Sequence, residues 1–183
     1  MAIKKERKIL IVLIIASLFL GYLITASRHT GETSKNAEKW YQITSQSSPA
    51  FFLEMPGVPK HTINGNTATI QSLYEDNTYL IGITDYEEET KKFSKKEIFQ
   101  KTIDLLKTGD KILIGLKYAD NGNSITDFHI VNPDAVDSIR GQMLMKDNYL
   151  ILQIVNFNEN SFPEENYQKF IDSLKINEPI IVQ

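Results

Sequence analysis

Cysteine is absent from the chain, so disulfides, thiolate metal sites, cysteine nucleophiles and an acylated lipoprotein cysteine are all excluded. Histidine is scarce. There are three, of which His29 falls in a polar stretch, while His61 and His129 fall in predicted strands some 68 residues apart. Neither H-E-x-x-H, G-x-S-x-G, S-x-x-K with its partner motifs nor a phosphate-binding Gly-Lys loop occurs, so no motif of a known catalytic chemistry is present. Basic charge is also lacking where a nucleic acid would need it. Residues 1–27 carry a net +3, and since the whole chain is −3, residues 28–183 sum to −6. An acidic body repels phosphate backbones, which argues against nucleic-acid binding.

What is present fits a globular protein. Of the 183 residues, 42% are apolar and 23% charged, enough apolar surface for one folded domain with extensions. Ile9 to Ala26 is an uncharged, largely apolar run of 18 residues. As a helix it would extend roughly 27 Å at about 1.5 Å per residue, close to a hydrocarbon core of about 30 Å. Lys4, Lys5, Arg7 and Lys8 precede it, and such a basic cluster stays cytoplasmic and directs the following chain across the membrane. We therefore expect residues 1–8 to be a cytoplasmic basic segment and 9–26 a single transmembrane signal-anchor helix. Thr25-Ala26-Ser27 offers a cleavage site, and a secreted or periplasmic product is the alternative. The length of the run and the following Arg28 favour retention. Ser17, Gly21 and Thr25 recur every fourth residue. Such a stripe lets two membrane helices approach closely, and so offers a route to a homodimer; chance spacing in a lone anchor is the competing explanation.

Residues 27–48 read as a polar tether, in which Trp40-Tyr41 could begin the folded body or else sit near the membrane interface; the distance from the apolar run favours the first. Residues 49–183 read as the extracytoplasmic domain. Turn signals punctuate it at Asn64-Gly65-Asn66, Glu75-Asp76-Asn77, Asp120-Asn121-Gly122-Asn123 and Lys146-Asp147-Asn148. Period-two patterning between them predicts strands over 49–54, 58–63, 67–75, 78–86, 111–118, 124–131, 137–145 and 149–156. Ser94-Lys95-Lys96-Glu97 is a capping box ahead of Ile98, Phe99, Ile103 and Leu106 at helical spacing, with Gly109 as the stop. Ser161-Phe162-Pro163-Glu164 repeats the device ahead of Tyr167, Phe170, Ile171 and Leu174. The expected class is α+β: a meandering antiparallel sheet with two packed helices, preceded by one transmembrane helix.

Phe51-Phe52-Leu53-Glu54-Met55-Pro56 resembles the aromatic-rich first strand, ending in Pro, of the PsbP-like (Mog/PsbP) α/β/α sandwich domains. Phe170-Ile171-Asp172-Ser173-Leu174 resembles the last-helix signature of that family, with Leu174 where Phe is expected. Ile139-Arg140-Gly141-Gln142 and Tyr149 resemble its late strands. The similarity covers roughly residues 49–176. It implies a non-catalytic binding or assembly module without a cofactor, since members are mostly binding or assembly factors, many of them secreted or anchored outside the cytoplasm. The expected partners are the membrane, through residues 9–26, and a protein of the bacterial envelope. A solute- or lipid-binding domain is the alternative, and a hydrolase with an ungrouped site the more remote one.

Three clusters invite a site and a simpler explanation together. Glu87-Glu88-Glu89, flanked by Asp85, Lys91 and Lys92, carries oxygen ligands for a hard cation. It equally suits a solvated approach to a helix N-terminus. Asp120-Asn121-Gly122-Asn123 has its Gly third and Val131 at position 12, which fits a hairpin turn rather than a calcium loop. Asp127 and His129 share a strand face at i, i+2, where they could form an acid–base pair or simply face solvent. Pro56-Gly57-Val58-Pro59 reads as a rigid turn, with a ligand-contacting lip as the other possibility. Pro179-Ile180-Ile181-Val182 is expected to add a short strand or pack on the core, or else to bind a partner.

Overall fold

The computed structural model describes residues 39–45, 49–107, 109–119, 124–133 and 136–176. The expected anchor, with Ser17, Gly21 and Thr25, lies outside them, as do His29, residues 120–123 and residues 179–182. No helix among the described residues is long and apolar enough to cross a membrane.

Strand β5 (Asn77–Asp85) is buried at seven consecutive positions, and β9 (Tyr149–Asn158) at six, Leu150 to Val155. Runs without alternation mark strands covered on both faces. The two are antiparallel neighbours at the centre of a seven-stranded sheet, ordered β3-β4-β5-β9-β8-β7-β6. The other strands are β3 (Lys60–Asn64), β4 (Thr67–Tyr74), β6 (Ile112–Tyr118), β7 (Ser124–Val131) and β8 (Asp137–Lys146). After β5 the chain forms a short helix α1 (Glu87–Thr90) and then α2 (Lys95–Leu106). It enters the far edge at β6 and meanders back until β9 meets β5. Every pairing is antiparallel.

One face is covered by α2. Its Ile98, Phe99, Ile103 and Leu106 are buried against Leu80, Phe128, Ile130, Met143 and Ile154. The expected capping box forms: Ser94 Oγ accepts from the Glu97 N–H at 3.3 Å, and Glu97 Oε2 accepts from the Ser94 N–H at 2.8 Å. The helix ends at Leu106, and Gly109, the expected stop, has a left-handed φ of 76°.

The opposite face carries a second layer, and here the single-meander expectation is corrected. The strand expected at 49–54 is β2 (Phe51–Pro56). It belongs not to the main sheet but to a three-stranded sheet, β1-β2-β10. Its partners are β1 (Trp40–Ser45) and the two-residue β10 (Lys175–Ile176). β1 falls inside the stretch read as tether, because a mostly polar strand with only Ile43 buried is a suitable edge. Leu53 and Met55 join Tyr79, Ile81 and Val155 in this second core.

Helix α3 (Glu164–Asp172) completes the layer with Tyr167, Phe170 and Ile171 buried. Its expected capping box does not form. Pro163 is the N-cap without a side-chain bond, and Ser161 closes a 3-10 turn (Glu159–Ser161). A buried amide ladder holds α3 to the sheet. Gln153 Nε2 donates to the Phe170 carbonyl at 3.0 Å, and Gln142 Nε2 donates to Gln153 Oε1 at 2.5 Å.

The hairpins supply the remaining geometry. Glu75 and Asp76 both have positive φ, the type I′ arrangement that matches strand twist between β4 and β5. Gly65 and Asp147 are the positive-φ residues of the β3–β4 and β8–β9 turns.

Candidate functional site

Asp127 and His129 sit on β7 as expected, but they face different neighbours. Asp127 accepts from Arg140 of the neighbouring strand β8 through both carboxylate oxygens, at 3.0 and 3.1 Å. Tyr167 of α3 donates its hydroxyl to the same carboxylate at 3.3 Å. The Arg140 guanidinium lies over the rings of Tyr167 and Phe162, at 5.0 and 5.2 Å, and Glu164 lies 4.0 Å away. Hydrogen bonding to Asp127 raises the Arg140 pKa further. Burial, with the Asp127 charge adding to it, pushes the Tyr167 hydroxyl well above the usual phenol range. The arrangement is a bidentate charged strut joining β7, β8 and α3. His129 instead has its Nε2 3.4 Å from Glu159 Oε2, without hydrogen-bond geometry, and its ring packs 5.9 Å from Phe157. The pairing of Asp127 with His129 is thus replaced by two separate contacts.

The acidic run is also held by its own neighbours. Asp85 Oδ1 accepts from the Glu87 N–H at 2.9 Å, and Lys91 Nζ sits 3.1 Å from Glu87 and 3.2 Å from Glu88. Among the described residues no group of three His, Asp or Glu side chains gathers to hold a metal ion. Gly57, in the Pro56–Pro59 turn, has φ 75°, and its Cα faces the Leu73 carbonyl so closely that a Cβ would come within 2.6 Å. That position serves backbone packing.

The sequence did not single out a surface cleft of about 440 Å³ beside α3. Trp40 of β1, Tyr74 and Glu75 at the β4–β5 hairpin, Pro163 at the N-cap of α3, and Glu164, Glu165, Asn166 and Lys169 of α3 surround it. The ammonium of Lys169 lies 4.0 Å over the Trp40 ring. Trp40 comes from a strand inside the stretch read as tether, and Glu75 from a turn. No linear motif could have united residues drawn from three elements.

No protein-family model and no curated protein sequence matches the chain. Among solved structures it is similar to that of cyanobacterial PsbP (CyanoP) from Synechocystis sp. PCC 6803 determined in solution. The TM-score is 0.51 at 10% identity, covering 81% of this chain and 98% of the other. A likeness at that identity speaks for architecture, and it coincides with the resemblance seen in Phe51–Pro56 and Phe170–Leu174. The folded body of this chain has the PsbP-like fold.

Proposed function

We propose that the chain is a non-catalytic binding or assembly module, held in the bacterial inner membrane by residues 9–26 and presenting residues 40–176 outside the cytoplasm to a protein of an envelope complex. The observation that carries this reading is the shared fold with cyanobacterial PsbP over 98% of that protein. Two features of the chain support it. Its best-placed ionisable groups are engaged with one another, as in the Asp127–Arg140–Tyr167 strut. Both faces of the sheet are filled by the protein's own side chains, Phe99 and Phe128 on one side, Tyr79 and Phe170 on the other. A packed interior favours recognition at the surface over enclosure of a solute or lipid.

Photocrosslinking in intact cells tests the reading. A photoreactive residue placed at exposed Ile63, Glu75 or Ile114 is expected to capture a defined envelope protein from at least one position. Capture only of cytosolic proteins, or of none from any position, would overturn it.

A further inference from the structure

We infer that the free edge of β6 receives an extended segment of the partner protein as an eighth strand, one whose apolar side chains are flanked by carboxylates. This rests on the reading of the domain as a protein-binding module and adds the surface and its chemistry. β6 is the outermost strand of the main sheet, and among the described residues no strand pairs with its outer side. Such an edge presents backbone N–H and C=O groups that another chain can complete. The two edges of the sheet differ. β3 is five residues long, and Ile63 is its one large apolar residue, beside Lys60, His61, Thr62 and Asn64. That is the protected pattern of a natural edge. β6 is seven residues long and exposes Ile112, Ile114 and Leu116 at 49, 56 and 36%. A break in register leaves Ile114 outside the pairing with β7.

Gly115, at the middle of β6, is a second observation. Its φ is not positive, so it is not the left-handed glycine that one kind of bulge requires. A Cβ there would meet only His129 Cβ, at an ordinary 3.7 Å. Neither conformation nor internal packing calls for a residue that weakens a strand. Close approach of another chain does, since the missing side chain leaves room for a larger one on the incoming strand. Charge fixes the flanks. From Lys95 to Lys117 the chain carries six lysines against Glu97, Asp104 and Asp110, a net +3 within a body of −6. Lys111 and Lys117 bracket the apolar residues of the edge. Lys117 is exposed and in no ion pair among the described residues, and Lys111 feels the charge of Asp137 without an ion pair to it. A strand with carboxylates six residues apart, about 20 Å, meets a cation at each end.

The probe is a fluorescein-labelled seven-residue peptide, valine and threonine alternating between terminal glutamates, added to full-length protein in non-ionic detergent. Saturable polarisation is expected, and lysine in place of both glutamates should weaken binding about tenfold. Methylating alternate peptide nitrogens isolates strand addition. Only every second residue of an added strand turns its N–H toward the edge, so one phase of methylation should abolish binding and the other retain it. Ile114→Lys should weaken binding about tenfold, and Ile63→Lys on β3 should leave it unchanged; near-UV circular dichroism checks that both variants stay folded. No saturable binding, equal binding by the two methylated peptides, or equal weakening by the two variants would overturn the assignment. So would a dimer that Ile114→Lys disperses, which assigns the edge to a second copy. Slowed β6 amide exchange in phosphatidylglycerol bilayers without peptide would assign it to lipid, with the same consequence. Crosslinking from Ile63, at the opposite edge of the sheet, reports on the module reading independently of β6, so the two can fail separately.

Discussion

Gly141 sits in the middle of β8, between Phe128 of β7 and Ile154 of β9. Its φ is not positive, so backbone conformation alone would admit any residue there. The restriction comes from space. A Cβ on Gly141 would collide with the Gln153 carbonyl oxygen and lie 2.8 Å from Ile154 Cγ2 and 3.0 Å from Ile154 Cα. Two of these three atoms are backbone of the central strand and cannot rotate away. Gly141→Ala must therefore spread β8 from β9, which also strains the Gln142–Gln153 hydrogen bond and with it the bond from Gln153 to the Phe170 carbonyl of α3. Overpacking costs typically about 1–3 kcal/mol, and a backbone obstruction belongs at or beyond the upper end. We expect about 3 kcal/mol, which for a body of this size lowers Tm by about 6–12 °C. Gly115→Ala is the control, because its added Cβ meets only His129 Cβ at 3.7 Å. That change should be neutral or stabilising by up to about 1 kcal/mol. Urea denaturation of both variants, followed by near-UV circular dichroism, reads the difference. A loss below about 1 kcal/mol for Gly141→Ala would refute the steric argument and the β8–β9 register behind it.

Other variants probe separate parts of the account. Ser94→Ala removes the N-cap of α2 and should cost about 1 kcal/mol in the same denaturation assay. Hydrogen bonds from Ser94 hold the Glu97 carboxyl below the usual range. A depressed folded-state pKa stabilises at neutral pH and loses that contribution as pH falls through it, so hydrogen exchange at the start of α2 should accelerate in acid, and Glu97→Gln should abolish the dependence. Asp127→Asn leaves Arg140 without its bidentate carboxylate and with only the 4.0 Å approach of Glu164. Because both side chains are about one-third exposed, at 37% and 29%, the loss should be about 1 kcal/mol and shrink at high salt, which paired low- and high-salt melts would show. Leu18→Arg places a charge in the middle of the apolar run at a cost of about 2.5–3.5 kcal/mol on insertion scales, and should reduce the membrane-bound fraction on cell fractionation.

Much of the layout was legible because local signals and the global fold agree. The turn residues fixed most strand limits to within two or three positions, and the Ser94–Glu97 box located α2. What failed were features set by distant contacts. The polar stretch before residue 49 contains β1 because Phe51–Pro56 offers it an edge, and within Trp40–Ser45 only the aromatic pair Trp40-Tyr41 pointed to the start of a folded body. The second capping box gave way to a 3-10 turn, since Asn158 Oδ1 accepts from the Asn160 N–H and reshapes the approach to α3. Period-two patterning located β5 and β9 but not the cover on both faces that their unalternated burial reveals, nor the segment that supplies it. The site was the least legible part. Shared strand face brought Asp127 and His129 into view, whereas their true partners, Arg140, Tyr167 and Glu159, lie 13, 40 and 30 residues away.

The central claim is a PsbP-like body held outside the cytoplasm by an N-terminal membrane helix. Protease treatment of intact spheroplasts, followed by alkaline carbonate extraction of the membranes, tests it most directly. The account predicts that the full-length chain stays in the carbonate-resistant membrane pellet and that added protease removes the body without lysis. A chain that is released by carbonate and degraded only after lysis would contradict it.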